Sequence, residues 1–412
     1  GAVDLLVVGR FGSTSGLSGV STGSQVLNLV TFVVTQLAMG ITVLIARYLG
    51  EKREDQIGSI IGGGTVVFAA ISLVLFVIMV GFARPIAVLM QAPEEAVGLT
   101  AAYIRICGAG IFFIVAYNVL SAIFRGLGDS NSPLLFVFVA CIVNVVGDLV
   151  LVAGLGMDAM GAALATVFAQ ALSVVFAIVR LVKKGLPFTI TGYDFRWNPQ
   201  CGKFLQIGLP LALQECLTQG SFLALCAFVN RLGLEASSGY GVACKIVNFA
   251  MLIPSALMQS TSSFVSQNVG AGEQKRAKKT MFTGIGIGLL VGCFAFSLVF
   301  FRGDLLAGIF SADAAVVQRG YEYLKGFAPE TLLTAVLFSM MGYFNGNGKT
   351  VWVMLQGLIQ TLLVRLPFAY YMSIQPDASL TNIGLAAPIS TAVGIVLNVA
   401  FFLYLEHAAK RS

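Results

Sequence analysis

Apolar runs long enough to cross a bilayer as helices, which takes about 20 residues, follow one another along most of the chain. They lie near 24–49, 59–83, 97–121, 133–155 and 161–182, then near 203–230, 240–268, 280–301, 320–342, 351–373 and 384–405. Charged, Gly-rich or Pro-containing segments bound each one. The pattern predicts eleven complete spans. A twelfth is expected at the start, where Val3-Asp4-Leu5-Leu6-Val7-Val8 is apolar but too short to cross. No basic segment precedes it and no small-residue cleavage site comes after it, so it does not have the form of a signal peptide. It has the form of the end of a helix whose beginning is missing.

The two halves of this pattern repeat. Phe124-Arg125-Gly126-Leu127-Gly128 returns as Phe344-Asn345-Gly346-Asn347-Gly348, an offset of 220 residues. Tyr103-Ile104-Arg105 returns as Tyr323-Leu324-Lys325 and Asn28 as Asn248, at the same offset. Leu49-Gly50 and the charged stretch after it match Val269-Gly270 and the stretch after that. Four matches at one offset indicate a duplication. Six spans per unit, an even number, start both units on the same side of the membrane and make the repeat parallel. The expected fold is all-α, with twelve transmembrane helices in two six-helix bundles. The N-terminal lobe is placed at 1–185, a polar cytoplasmic linker at 186–202 and the C-terminal lobe at 203–412. At offset 220, Asp4 corresponds to Ala224, and the equivalent helix begins near Lys203, so about eighteen residues of the first helix are expected before this start.

Composition narrows the class. Of 412 residues 57% are apolar and 11% charged, and the mean hydropathy is +0.89. Soluble domains carry about a quarter charged residues, so a water-soluble globule is excluded. The 46 glycines suit close contact between membrane helices. The net charge of +6 suggests nucleic acid until the charges are placed. With the missing start inside, the inner segments hold sixteen Lys and Arg, Lys184, Lys410 and Arg411 among them. The outer segments hold only Arg10, Arg84, Arg231, Arg302 and Arg319. This asymmetry orients the chain by the positive-inside rule and accounts for the net charge, so no nucleic-acid partner is implied. The seven cysteines show no C-x-x-C spacing and sit mostly in apolar runs, as packing residues do. One histidine, His407, leaves metal or triad chemistry almost nothing to work with. There is no H-E-x-x-H motif, no nucleophile–base pair and no channel selectivity motif. An enzyme, a channel and a resident cofactor are therefore not expected.

Ionisable residues inside spans cost on the order of 3 kcal/mol each at the bilayer centre and commonly mark function. Here they are Asp4, Arg105, Asp148, Glu215, Lys245, Lys325, Glu330 and Arg365. Asn144 precedes Asp148 by four residues, so both project from one helical face. With Asp4 and Thr166 from neighbouring spans they offer two carboxylates, an amide and a hydroxyl. Such oxygens suit a hard cation such as Na⁺. Neighbouring like charges resist joint ionisation, so a proton suits the same site. Plainer alternatives stand beside this: Asp4 as a helix cap, Asn144 and Asp148 as interhelical glue, Thr166 as packing. The second half lacks the cluster, since Ala224, Val364 and Phe368 replace Asp4, Asn144 and Asp148. It offers Glu215, Lys245, Glu330 and Arg365 as a coupling or substrate site, or merely an ion pair from Glu215 to Lys245 or Arg365. Arg105 and Lys325, equivalent in the two halves, fit snorkelling or holding of helix ends. Met and aromatic residues such as Phe112, Tyr117, Met258 and Met340 are numerous enough to line an adaptable cavity.

The chain is similar, over essentially its whole length, to the multidrug and toxic-compound extrusion (MATE) family. The resemblance rests on Val3-Asp4 through Phe11-Gly12, on Phe124-Arg125-Gly126-Leu127-Gly128-Asp129, on Gln267-Asn268-Val269-Gly270-Ala271-Gly272 and on the two-by-six layout. It implies two bundles facing a central cavity and cation-coupled export of amphipathic, mostly cationic compounds. Asp4 matches the family's helix-one aspartate, Asn144 and Asp148 its N-x-x-x-D pair, and Thr166 the threonine that joins them. Glu215, after Gly208-Leu209-Pro210, resembles a helix-seven glutamate used in other branches. The expectation is a monomeric antiporter in a prokaryotic plasma membrane, in contact with lipid, exchanging drugs for Na⁺ or H⁺. A lipid-linked oligosaccharide flippase is the alternative. It would call for a strongly cationic cavity, where here acids are prominent in the first lobe.

Overall fold

The computed structural model describes residues 2–183, 189–311 and 313–411, and among them every regular element is helical. Lys184, residues 186–188 of the expected linker and the side chains of Lys410 and Arg411 lie outside the described residues. In hydrocarbon each backbone N–H and C=O must be satisfied within its own segment, and long apolar sequences meet that demand as helices. Among the described residues nine helices are long and apolar enough to cross a membrane, or eleven when each of two bent pairs counts as one span. With the short first helix this reproduces the predicted pattern. The chain separates into two compact units, Gly1–Ala212 and Leu213–Ser412.

The first unit contains α1 (Ala2–Phe11), α2 (Thr14–Gly50), α3 (Ile57–Gly81), α4 (Ala83–Leu89), α5 (Val97–Ala109), α6 (Ile111–Gly126), α7 (Asn131–Asp148) and α8 (Asp158–Lys183). It also holds the start of α9 (Pro199–Asn230). Helix α2 is its axis: 61% of its apolar window is buried, against 17% for the window of α7 and its continuation. It packs on α5 and α6, and Thr42 donates to the Ala122 carbonyl at 2.9 Å. The start of α9 crosses it at two glycines. A Cβ at Gly40 would stand 2.0 Å from the Phe204 carbonyl oxygen, and one at Gly208 2.2 Å from that of Leu37. Only residues without a side chain allow this approach. Outward faces carry exposed Leu134, Val137 and Phe138 on α7 and Val74 and Val77 on α3, a lipid-facing surface.

The second unit continues with α10 (Leu234–Ala250), α11 (Leu252–Gly270), α12 (Gln274–Gly308), α13 (Ala314–Phe327), α14 (Glu330–Gly346), α15 (Thr350–Leu358), α16 (Leu366–Ser373), α17 (Leu380–Gly384) and α18 (Ala386–Arg411). Its core joins Leu324 and Phe327 to Ile383 and sets Tyr240 edge-on to Tyr323, with centroids 4.9 Å apart. The duplication is visible in the backbone. Gly128 and Gly348, 220 residues apart, have φ of 77° and 74°. The next residues, Asp129 and Lys349, donate their N–H to the Phe124 and Phe344 carbonyls at 2.9 and 2.8 Å. These are the same glycine-terminated helix ends. Lys52 and Gly272 share the left-handed region at the same offset.

The expected spans 97–121 and 320–342 are present as bent helix pairs. Neither is one straight helix. The pair α5 and α6 bends by 54° at Gly110, and α13 and α14 by 47° at Ala328-Pro329. Gly110 leaves helical geometry at φ −91°, ψ 7°, and Pro329 has no N–H to continue the ladder. Both breaks fall at equivalent places in the repeat. Two further spans change pitch within the membrane: α7 becomes π-helical over Leu149–Gly154, and α15 over Ile359–Arg365.

The described part of the polar segment before α9 docks on α3. Asp194 accepts from the Thr191 N–H and hydroxyl at 2.8 and 2.9 Å and from the Ser59 hydroxyl at 2.8 Å. Asn198 donates to the Ser59 carbonyl at 2.9 Å. The Thr191 N–H first, then the Ser59 and Thr191 hydroxyls, hold the Asp194 carboxyl below its ordinary range. A lowered carboxyl stabilises docking above the ordinary aspartate value near 4 and loses that contribution as pH falls through the lowered value. Replacing Asp194 by Ala should cost about 1 kcal/mol of local stability, as loss of a cap does. Tryptic cleavage after Arg196 should then run roughly fivefold faster, read by mass spectrometry on the protein in detergent.

Candidate functional site

Four helices of the first unit bring polar side chains to one buried point. Asp4 on α1 and Asp148 at the end of α7 are each fully buried. Thr166 on α8 donates its hydroxyl to Asp4 Oδ2 at 3.1 Å. Asn144 on α7 donates its amide to the Thr166 oxygen at 3.4 Å. The Tyr103 hydroxyl on α5 also lies close to Thr166 and to Cys107 one turn further along α5. Thr166 is thus a hub, its single donor on Asp4 and its acceptor positions facing Asn144 and Tyr103. All four residues expected here are brought together. The Asn144 amide nitrogen, rather than its oxygen, makes the contact with Thr166.

Asp148 differs from the others. Among the described residues neither of its carboxylate oxygens accepts from an N–H or hydroxyl donor, and its charged neighbour within the cluster is the Asp4 carboxyl, close enough to share a proton with it. A buried carboxylate without donors is expensive, and a second carboxylate beside it raises the cost. Acceptor oxygens without donors, beside another acid, fit a small hard cation or a proton. The adjoining π-helical stretch is of the kind that recurs at functional sites. Among the described residues no group of three or more His, Cys, Asp or Glu forms a metal centre.

In the second unit, Glu330 at the start of α14 and Arg365 at the end of the π-helical stretch are both buried and lie within electrostatic reach of one another. Glu330 Oε1 accepts from Thr391 at 2.8 Å, Thr391 accepts from Gln360 at 3.0 Å, and Gln360 accepts from Gln356 at 2.6 Å. Arg365 Nε donates to Ser390 at 3.3 Å, and its guanidinium lies 5.7 Å from the Phe222 ring centre. The ion pair considered for Glu215 needs correcting on the cation side. Lys245 is exposed, over the Phe310 ring, and Arg365 faces Glu330, Ser390 and Phe222. Glu215 accepts from Gln219 at 2.7 Å on its own helix. Arg105 and Lys325 are exposed, as snorkelling side chains are.

Tyr103, Cys107, Gln356, Gln360 and Thr391 are site residues that the sequence alone does not single out. The four-residue spacing of Tyr103 and Cys107, which places both on one helical face with the repeat-marking Tyr103, was the available signal. The glutamine pair, also four apart, was another.

A duplicated helical chain whose units each bury an acid among membrane-spanning helices has the build of a multi-pass membrane transporter. The profile of the MatE family matches residues 1–150 and 210–371, and the chain belongs to that family. It is 24% identical over 372 residues to the probable multidrug resistance protein YpnP of Bacillus subtilis, covering 90% of this chain and 83% of that one. It is 25% identical over 371 residues to the multidrug export protein MepA of Staphylococcus aureus, covering 87% and 80%. A solved outward-facing conformation of a multidrug resistance MATE family transporter of the MOP superfamily superposes with a TM-score of 0.94 at 20% identity, covering 100% of this chain and 92% of the other. The chain is accordingly a multi-pass plasma-membrane protein of a multidrug efflux family.

Removing Arg365 would leave buried Glu330 without the cation that lies within electrostatic reach of it. Arg365→Met should therefore destabilise the protein by on the order of 3 kcal/mol, seen as a lower thermal midpoint in detergent. Adding Glu330→Gln should recover more than half of that loss, because the buried charge is then gone.

Proposed function

We propose that the protein exports amphipathic organic cations in exchange for Na⁺ or H⁺ by alternating access. The observation that carries this reading is the Asp148 carboxylate, buried without a donor beside Asp4. Two carboxylates in one low-dielectric site do not both stay charged without a cation or a proton. Asp4, Asn144, Asp148 and Thr166 form the cation-binding set, with the Tyr103 hydroxyl at its edge. Na⁺ would take the carboxylate oxygens together with the Asn144 amide oxygen and the Thr166 hydroxyl. A proton would sit between Asp4 and Asp148.

Cation entry from outside neutralises the acids and removes their hold on a positively charged substrate. Asp4 then exchanges its Thr166 hydrogen bond for the new charge, and α1 moves with it. Linkage makes the effect reciprocal: an ion that lowers substrate affinity has its own affinity lowered by the substrate to the same extent. The Glu330–Arg365 network, together with Glu215 and Lys245, is the second-lobe candidate for substrate contact or auxiliary coupling. No cofactor beyond the coupling ion enters this scheme, the partners are cationic small molecules and lipid, and a monomer suffices. The names of YpnP and MepA support drugs as the substrate class and do not favour a flippase.

Ethidium efflux from proteoliposomes, driven separately by a Na⁺ gradient and by a pH gradient, tests the reading. Efflux is expected under one of them and should fall at least tenfold in Asp148→Asn with the protein still inserted. Full transport by that variant, or none by the native chain under either gradient, would overturn it.

A further inference from the structure

Helix α1 is tied to the rest of its unit at a second height, outside the cation cluster. Gly12 and Ser13 alone separate α1 from α2, and Ser13 holds two partners there. Its oxygen accepts the Gly16 N–H at 2.9 Å, capping α2, and its hydroxyl donates to Asp158 Oδ2 at 2.5 Å. Asp158 is the first residue of α8 and has φ of 52°, a left-handed conformation that favours glycine. Its carboxylate lies flat on the start of α2. A Cβ at Gly16 would stand 1.7 Å from Asp158 Oδ1, and one at Gly12 2.6 Å. Among the described residues that buried Oδ1 has no hydrogen-bond partner. Unfavourable backbone, a desolvated oxygen and two glycines kept clear all meet at one aspartate. Strain of this kind persists where the surroundings hold it for a purpose.

The geometry supplies the purpose. Asp158 precedes Thr166 by eight residues on α8, about 12 Å at the helical rise. Asp4 precedes Ser13 by nine, a comparable climb along α1. Helix α8 is thus joined at two heights: by Ser13, at the α1–α2 junction, to Asp158 at the outer end, in the orientation assigned from charge, and by Asp4 of α1 to Thr166 about two turns deeper. We propose that Asp158 is a positioning residue for the cation cluster: the Ser13–Asp158 clasp sets the height of α1 against α8 at which Asp4 meets Thr166. This rests on the antiport reading of the cluster.

The variant Asp158→Gly keeps the left-handed turn without strain and removes the clasp. Asp158→Asn keeps both the turn and an acceptor oxygen. Two readouts are needed. One is the coupling-ion concentration for half-maximal ethidium efflux, separated from the maximal rate. The other is the rate at which N-ethylmaleimide alkylates Cys107, monitored by peptide mass spectrometry. Cys107 is fully buried beside Tyr103 and Asp4, so loosening of α1 exposes it whether or not transport is ion-coupled. In Asp158→Gly the half-maximal concentration should rise at least fivefold with the maximal rate within twofold of native, and alkylation should quicken about tenfold. Asp158→Asn should restore both. Values within twofold of native for both readouts would overturn the proposal. Faster alkylation with an unchanged half-maximal concentration would also overturn it, the clasp then being structural only. If the native chain shows no ion dependence, the antiport reading falls, and with it the positioning role, while alkylation still reports whether the clasp holds α1. Should Asp158→Gly fail to insert, Ser13→Ala removes the same hydrogen bond from the other side and carries the same expectations.

Discussion

Charge in a low-dielectric interior is the constraint around which the first unit is arranged. Asp148 presents two oxygens to no donor, and its charged neighbour in the cluster is another carboxylate. Nothing in hydrophobic packing rewards such an arrangement, since an apolar residue of similar volume would be easier to bury. The proposed antiport accounts for the arrangement through a positive charge that comes and goes. Every other member of the cluster can be understood from that point. Thr166 orients Asp4, Asn144 and Tyr103 orient Thr166, and the pitch change after Asp148 places that carboxylate where α7 meets α1.

The second unit solves the same electrostatic problem with resident groups. Glu330 has Thr391 as donor and Arg365 within reach, and Gln360 and Gln356 extend the hydrogen bonding. The duplication therefore preserved the backbone while the charges diverged. Matched glycine-terminated helix ends at 128 and 348, and matched breaks near 110 and 329, show how closely the frames agree. In the proposed antiport, the first unit would draw its counter-charge from the exchanging ion, whereas the second has Arg365 as a resident one.

Much of this was legible in the residues. Length and spacing of apolar runs determine the spans, because a helix in lipid has no alternative way to satisfy its backbone. The 220-residue offset carried the repeat, Asp4 and Asp148 stood out because ionisable groups in such runs are costly, Asn144 by its four-residue spacing from Asp148, and Thr166 by the family resemblance. The bends were not legible as bends: Gly110 and Pro329 lie in stretches whose hydropathy is unbroken, and hydropathy does not register direction. Tyr103 and Cys107 were hidden for another reason. Tyrosine and cysteine are ordinary packing residues in an apolar helix, and only the fold shows that their polar atoms face Thr166 and Asp4. The counter-charge of Glu330 was hidden likewise, since Glu215, Lys245 and Arg365 offer several pairings and the π-helical stretch decides where Arg365 points.

In the proposed antiport, a helix carrying the cation-binding acid has to be both mobile and registered. The hydrogen bond from Thr166 to Asp4 is the contact that an incoming cation would disturb. A helix released there with no second contact would lose the position to which it must return. Polar contact at a second, distant height resolves that conflict. The Ser13–Asp158 contact lies at a helix junction, where two residues of connection leave little slack. It involves none of the oxygens that meet the ion, so it can persist while the deeper contact breaks. In the proposed cycle, movement of α1 would then be a pivot about its outer end instead of a slide along α8, returning Asp4 to the same oxygen of Thr166.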